Sequence, residues 1–344
     1  MSQHEVIVIT GASAGVGRAI AREFAKRGAH IGLLARGRAG LEGARRDVER
    51  LGGKAITIST DVADSAQVFK AREQVERRFG PIDIWVNVAM ASVFSPIKEM
   101  TPDDYQRVTN VTYLGYVYGT LAALKTMLPR NRGTVVQVGS ALAYRSIPLQ
   151  SAYCAAKHAI VGFTDSLRCE LIHDHSNINV TCVHLPAMNT PQFEWVKSRL
   201  KLKAQPVPPI YEPEVAARAI YWAAHRRRRE VWVGRSTTEA IIGQKFIPGI
   251  LDSYLGKTGY KSQQIAEPED PERRNNLYEP VDDKKDHGLH GTFGDRATDT
   301  SEQVWLDLHR GWLVSGAIAT AALLLGLWKK NNRREEIGQQ HRAA

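Results

Sequence analysis

Short apolar runs alternate, over the first two thirds of the chain, with longer stretches in which apolar residues return every three to four positions. The runs fall at residues 6–10 (Val6-Ile7-Val8-Ile9-Thr10), 30–35, 55–59, 82–88, 134–138, 179–184 and 231–233. The helix-period stretches lie between them, the clearest at about 65–79, 101–127, 152–173 and 213–224. Thr101-Pro102-Asp103-Asp104 is a strong helix start: a hydroxyl to cap, a proline in the first turn, and acids at the positive end of the helix dipole. Strand-length runs alternating with helix-length stretches predict an α/β domain, a doubly wound parallel sheet with helices on both faces, filling about residues 1–240.

The pattern changes after that. Residues 241–260 still carry apolar side chains to pack, so the domain is drawn as 1–260. Residues 261–305 are dominated by charged, Pro, Gly and Asn residues and read as a flexible polar linker. Within 306–330, residues 311–328 (GWLVSGAIATAALLLGLW) carry no charge, with Trp312 and Trp328 at the two ends. As a helix this stretch is about 27 Å long, near the lower limit for a bilayer span. It predicts membrane association, with Gly316, Thr320, Ala322 and Gly326 suited to close helix contacts. Residues 331–344 form a basic tail. With the catalytic domain on the cytoplasmic side, a single span would carry Lys329, Lys330, Arg333 and Arg334 across, against the positive-inside tendency, so the stretch predicts attachment rather than a topology. No charged leader and apolar core precede Val6, and no secretory signal peptide is expected.

Composition narrows the picture. The chain has 344 residues, 43% hydrophobic and 24% charged, which excludes wholesale disorder, a collagen-like repeat and a disulfide scaffold. Three cysteines, Cys154, Cys169 and Cys182, have no metal-ligand spacing and read as reduced thiols, so no metal is expected. The net charge of +10 fits an anionic surface or cofactor, and no aromatic-plus-basic stripe supports nucleic acid as a partner.

Candidate chemistry sits at the carboxyl ends of the predicted strands. After the first comes Thr10-Gly11-Ala12-Ser13-Ala14-Gly15-Val16-Gly17, whose glycines allow a sharp turn and close approach of a pyrophosphate to the next helix N-terminus. At the end of the second strand an acid would bond the ribose 2′-hydroxyl of NAD, whereas an arginine accommodates the 2′-phosphate of NADP. No acid occurs from Ala25 to Leu41, and Arg36 and Arg38 are present, which predicts NADP(H) over NAD(H). Tyr153 and Lys157, four apart, share one helix face, where an ammonium favours phenolate and lowers the phenol towards acid/base range. Ser140 follows the strand at 134–138 and could hydrogen-bond a substrate carbonyl beside the Tyr153 hydroxyl.

These residues, in this order, resemble the short-chain dehydrogenase/reductase family in its TGxxxGxG branch, over about residues 5–235. The resemblance implies a Rossmann-type fold and hydride transfer by an Asn-Ser-Tyr-Lys tetrad. In it Tyr153 is the acid/base, Ser140 polarises the carbonyl, Lys157 binds the nicotinamide ribose and lowers the Tyr153 pKa, and Asn110 holds a relay water. It further implies that Asp61, with Val62, contacts adenine, that Asn87 and Ala89 belong to the turn written here Asn87-Val88-Ala89-Met90, and that Thr190, after Pro186, bonds the carboxamide. Val88 and Met90 depart from the family's Asn-Asn-Ala-Gly, and Ala187 from its Pro-Gly. By the same likeness the substrate pocket draws on Leu142, Tyr144, Ile147, Leu149, Met188, Phe193, Trp195 and Phe94, an apolar set suited to a lipophilic carbonyl or alcohol, in a homodimer or homotetramer. The alternative from another class is an NADP-binding membrane-tethered scaffold or sensor without turnover; an epimerase or dehydratase on the same fold is a third.

Overall fold

The computed structural model describes residues 4–306. In chain order the elements are β1 (Val6–Thr10), α1 (Gly15–Ala25), β2 (His30–Ala35), α2 (Arg38–Arg50), β3 (Lys54–Ser59), α3 (Ser65–Phe79), β4 (Ile84–Asn87) and β5 (Val93–Phe94). There follow α4 (Pro102–Thr109), α5 (Gly115–Met127), β6 (Thr134–Ser140), α6 (Ser151–His173), β7 (Asn179–Leu185), β8 (Ala187–Met188), α7 (Gln192–Trp195), β9 (Lys197–Ser198) and β10 (Leu202–Ala204). The last are β11 (Ile210–Tyr211), α8 (Pro213–Ala224), β12 (Glu230–Trp232), α9 (Arg235–Phe246), α10 (Pro248–Ser262), β13 (Gln264–Pro268) and β14 (Ala297–Thr298).

Seven parallel strands form the central sheet in the order β12-β7-β6-β4-β1-β2-β3. On one face α1 packs against α2 and α8; on the other, α3 packs against α5 and α4 against α6. Covered on both faces, β1 has every residue buried, which is why it reads as an unbroken apolar run rather than an alternating one. Ile7 pairs with Ile31 of β2 on one side and Ile84 of β4 on the other. The chain winds outward from β1 through β2 to β3, then crosses to β4 and winds the other way. The strand ends at β1 and β4 therefore open a cleft at a topological switch point.

Two expectations are revised. The helix over 101–127 begins as the sequence predicts, with the Thr101 hydroxyl accepting from the Asp104 amide at 3.3 Å. It is then interrupted by a π-helical turn at Asn110–Leu114, which shifts the helical phase of the residues beyond it. Secondly, residues 261–301 are not a flexible linker. Gln263 is buried, donating to the Pro148 carbonyl and accepting from Gln150; β13 pairs with β10, β14 pairs with β11, and Leu277 is fully buried in the main core. Its polar composition hid the reason: the segment docks through backbone amides and carbonyls and a few apolar anchors, so it needs no helical or strand periodicity. Among the described residues no helix is long and apolar enough to cross a membrane. The apolar stretch at 311–328 lies outside the described residues.

Candidate active site

The glycine turn is shaped by close approach. Gly11, at φ 67°, lies where a Cβ would come within 2.8 Å of the Ala89 backbone, and a Cβ on Gly17 would strike the Gly11 carbonyl. Thr10 fastens this turn to the one after β4, its Oγ1 accepting from the amides of Val88 and Ala89 at 3.0 and 3.2 Å. The turn thus forms despite Val88 and Met90. The α1 N-terminus has no side-chain cap, so its first-turn amides face the cavity that Gly15, Val16 and Gly17 line. Amides at the positive end of a helix dipole fit a pyrophosphate.

That cavity, about 430 Å³, runs over the strand ends from Arg36 and Asp61 to Tyr153 and Trp195. Gly11, Ser13, Gly15, Val16, Gly17, Arg36, Asp61, Val62 and Ala89 line it, as do Ser140, Tyr153, Lys157, Pro186 and Thr190. Of the predicted substrate set, Leu142, Ile147, Met188, Phe193 and Trp195 line it. Tyr144, Leu149 and Phe94 do not: Tyr144 turns to Glu230, and Leu149 and Phe94 are core.

Thr10 and Asn87 act behind the cavity wall. Asn87 is fully buried, accepting from Trp85 Nε1 at 2.8 Å and donating to Gln137 at 3.0 Å, so it braces β4 against β6 and α5. Asn110 is not brought to the reacting end. Its Oδ1 accepts from Gln106 at 2.7 Å in an exposed setting. The π turn instead carries Thr112 inward, where its hydroxyl donates to the Ala91 carbonyl at 2.8 Å and accepts from the Ala91 amide at 2.9 Å. Reading one unbroken helix hid this shift.

Lys157, 2% exposed, donates to Tyr116 Oη at 2.9 Å and to the Val138 carbonyl at 2.7 Å. Burial pushes its ammonium down to about 7. Burial likewise raises the Tyr153 phenol well above its ordinary range, with the facing Ser140 hydroxyl acting the other way. The expected lowering of Tyr153 by Lys157 is therefore reversed in the protein alone: Lys157 Nζ lies 5.6 Å from the centre of the Tyr153 ring and is bonded to Tyr116. Tyr116, just beyond the π turn and its glycine, escaped sequence reading; its hydroxyl is held there by the Val138 carbonyl at 2.9 Å.

Ser140 is positioned by its own turn and by β7. Its Oγ accepts from the Leu142 amide at 3.1 Å, and its carbonyl meets His184 Nδ1 at 3.3 Å. His184 comes that close because residue 139 is glycine, where a Cβ would lie 2.4 Å from Nδ1. The His184 imidazole is fully buried and held down to about 4 by desolvation, with Glu230 opposing at 3.6 Å. Tyr144 and Trp232 both donate to Glu230, at 2.8 and 3.1 Å.

The adenosine end carries a feature with no counterpart in the sequence reading. Residues 276–291 cross it as a strap. Arg36 donates to the carbonyls of Asn276, Leu277 and Tyr278, the last at 2.8 Å. Arg107 bridges the Leu277 carbonyl and Asp61 at 2.8 and 2.7 Å, and Asp286 pairs with Arg18. The Gly15 amide donates to the Gly288 carbonyl at 3.4 Å. Asn276, Pro280, Val281 and Asp282 form part of the cavity wall.

Comparison with known proteins agrees with this geometry. The family model for short chain dehydrogenases matches residues 5–200. The oxidoreductase YxnA of Bacillus subtilis is 35% identical over 278 residues, 80% of this chain and 78% of that one. A 3-dehydrosphinganine reductase of Danio rerio is 35% identical over 192 residues, 54% of this chain; the match spans only 57% of the relative's length. A 17-beta-hydroxysteroid dehydrogenase 13 of Rattus norvegicus is 29% identical, covering 71% of this chain and 79% of the relative. The solved structure of a short chain dehydrogenase from Bacillus anthracis shares the fold, with a TM-score of 0.60 at 23% identity over 69% of this chain and 97% of the other. With a glycine turn at the switch point, Ser140, Tyr153 and Lys157 on one cavity, and relatives that match most of its length, the chain is an oxidoreductase and belongs to the short chain dehydrogenase family.

Proposed function

We propose that the protein interconverts a lipophilic carbonyl and its alcohol by hydride transfer, with Tyr153 as general acid and base. The observation that carries this reading is the convergence of Ser140, Tyr153 and Lys157 on a wall that continues as Leu142, Ile147, Met188, Phe193 and Trp195. A reductase of 3-dehydrosphinganine and a hydroxysteroid dehydrogenase among its relatives support an apolar substrate.

A nicotinamide dinucleotide, when bound, supplies or takes the hydride. The glycine turn and the α1 amides would hold its pyrophosphate, with Asp61 and Val62 towards the adenine and Thr190 towards the carboxamide. The protein's own part is proton delivery. Burial keeps the Tyr153 phenol protonated, so it can donate to a carbonyl oxygen as negative charge builds there. Ser140 holds that oxygen and, as a hydroxyl donor, stabilises the same charge. Lys157 stabilises the tyrosinate left behind, and its depressed pKa leaves it able to pass on a proton near neutral pH.

The missing acid after β2 and the presence of Arg36 and Arg38 favour NADP(H). In the folded chain Arg36 is engaged by the strap, so NADP(H) is proposed as the cofactor of the form in which the strap has released it. The test is oxidation of NADPH and NADH by the full chain against aldehydes and ketones of rising apolar size. Turnover that grows with apolar size and vanishes in Tyr153→Phe is the expected result. Tight dinucleotide binding without turnover on any carbonyl would overturn the reading in favour of a non-catalytic sensor.

A further inference from the structure

The position that selects between NAD and NADP in this fold is the end of β2, and the local sequence there has no acid. The tertiary structure puts one in place. A Cβ built on Gly37 would lie 1.8 Å from Asp282 Oδ1, and one on Gly40 would lie 2.5 Å from Asp282 Oδ2. The Asp282 carboxylate thus stands where a side chain of residue 37 would begin, delivered from 245 positions further along the chain. The strap is anchored there by the Ala39 and Gly40 amides, which donate to the carbonyls of Asp283 and Asp282 at 3.3 and 3.1 Å.

Two further observations point to a ligand. Asp282 is 8% exposed and lines the cavity, yet its carboxylate has no hydrogen-bond partner among the described residues. Its oxygens are not sealed into the interior but open to the cavity, near enough to Arg36 for the two charges to act on each other, so a hydroxyl donor bound in the cavity has an acceptor there. Arg36, the cation that a 2′-phosphate would need, already gives N–H donors to three strap carbonyls. Arg18 is bonded to Asp47 and Asp286, and Arg38, beside Gly37, is exposed at the start of α2.

We infer that Asp282 is the specificity residue for the cofactor's adenosine ribose. With the strap closed, its carboxylate accepts from a 2′-hydroxyl and repels a 2′-phosphate, so the closed form selects NAD(H). NADP(H) binds by drawing Arg36 away from its strap carbonyls and displacing residues 276–286. The choice of cofactor is therefore coupled to the docking of a segment remote in sequence. This rests on the dinucleotide-dependent reading above.

The test is binding of NADH and NADPH to the full chain, followed calorimetrically, in the natural protein, Asp282→Ala, Asp282→Asn and the exposed neighbour variant Asp283→Ala. The expected result is a rise of about tenfold or more in the NADPH-to-NADH affinity ratio in both Asp282 variants and an unchanged ratio in Asp283→Ala. An unchanged ratio in the Asp282 variants, with both dinucleotides still binding, overturns this inference and leaves the oxidoreductase reading intact. Binding of neither dinucleotide to the natural protein overturns both. A second readout uses the exposed Lys284 and Lys285: NADPH is expected to speed tryptic cleavage there and NADH to slow it. Equal protection by the two overturns displacement of the strap.

Discussion

The two ends of the cleft are built by different means. At the reacting end, Ser140, Tyr153 and Lys157 come from β6 and α6, adjacent elements whose chemistry is written in short local motifs. At the adenosine end, the glycine turn and Arg36 are equally local, but they are roofed by residues 276–291, and the groups that face the ribose position come from both. The reacting groups of the first end lie on adjacent elements, with Tyr116 and His184 packed behind them. The second depends on the docking of a segment distant in sequence.

The largest expected effect belongs to the reacting end. Tyr153→Phe is expected to lower turnover by about 10²–10⁴-fold while dinucleotide affinity changes little, measured by steady-state rates beside calorimetric binding. A parallel loss of affinity would show that Tyr153 is also part of the docking surface, erasing the contrast between the two ends.

At the strap, Leu277→Ala removes a fully buried side chain from the main core, a change that costs about 2–5 kcal/mol where the site cannot collapse. Urea unfolding is expected to show only part of that loss in the global transition, with faster proteolysis within residues 270–290. If the whole loss appears globally, the strap is an integral part of the domain and not a separately opening unit.

The next effect is pH-dependent and lies beneath Ser140. In the folded protein the buried His184 binds a proton only near pH 4, whereas an unfolded histidine does so near 6.5. Between these values the unfolded chain holds more protons, so stability falls as pH is lowered from 6.5 towards 4. Glu230, whose carboxyl is also held below its ordinary range, acts in the same sense at lower pH. His184→Gln is expected to reduce the stability difference between pH 7 and pH 5 by about 1–2 kcal/mol, read from denaturation midpoints. An unchanged difference would place the acid sensitivity elsewhere.

The smallest effect is the most pointed. Asn110→Ala is expected to leave turnover within about twofold and stability within about 0.5 kcal/mol, because its half-buried side chain lies off the cavity and bonds the neighbouring Gln106. A large loss of turnover would mean that the π turn rearranges when substrate binds and returns Asn110 to the site.

Most of the sheet was legible because parallel strands covered on both faces must be continuously apolar, and the glycine turn because close backbone approach tolerates no Cβ. Helices 213–224 and 65–79 appear at the expected positions for the same reason: periodicity and caps are local. The π turn that begins at Asn110 was not legible because nothing in the local composition marks the one extra residue in a helical turn, which rotates everything after it. The lowering of Tyr153 by Lys157 was misjudged because burial acts on both groups and Tyr116 captures the ammonium, neither of which can be read from a spacing of four. The sequence by itself determined the seven strands of the central sheet, the main helices between them and the chemical groups at the strand ends, all consequences of interactions within a few residues. Only the tertiary structure decided that a polar segment reads as a roof and that an acid absent after β2 is supplied by Asp282, because backbone hydrogen bonds between distant segments leave no pattern in either of them.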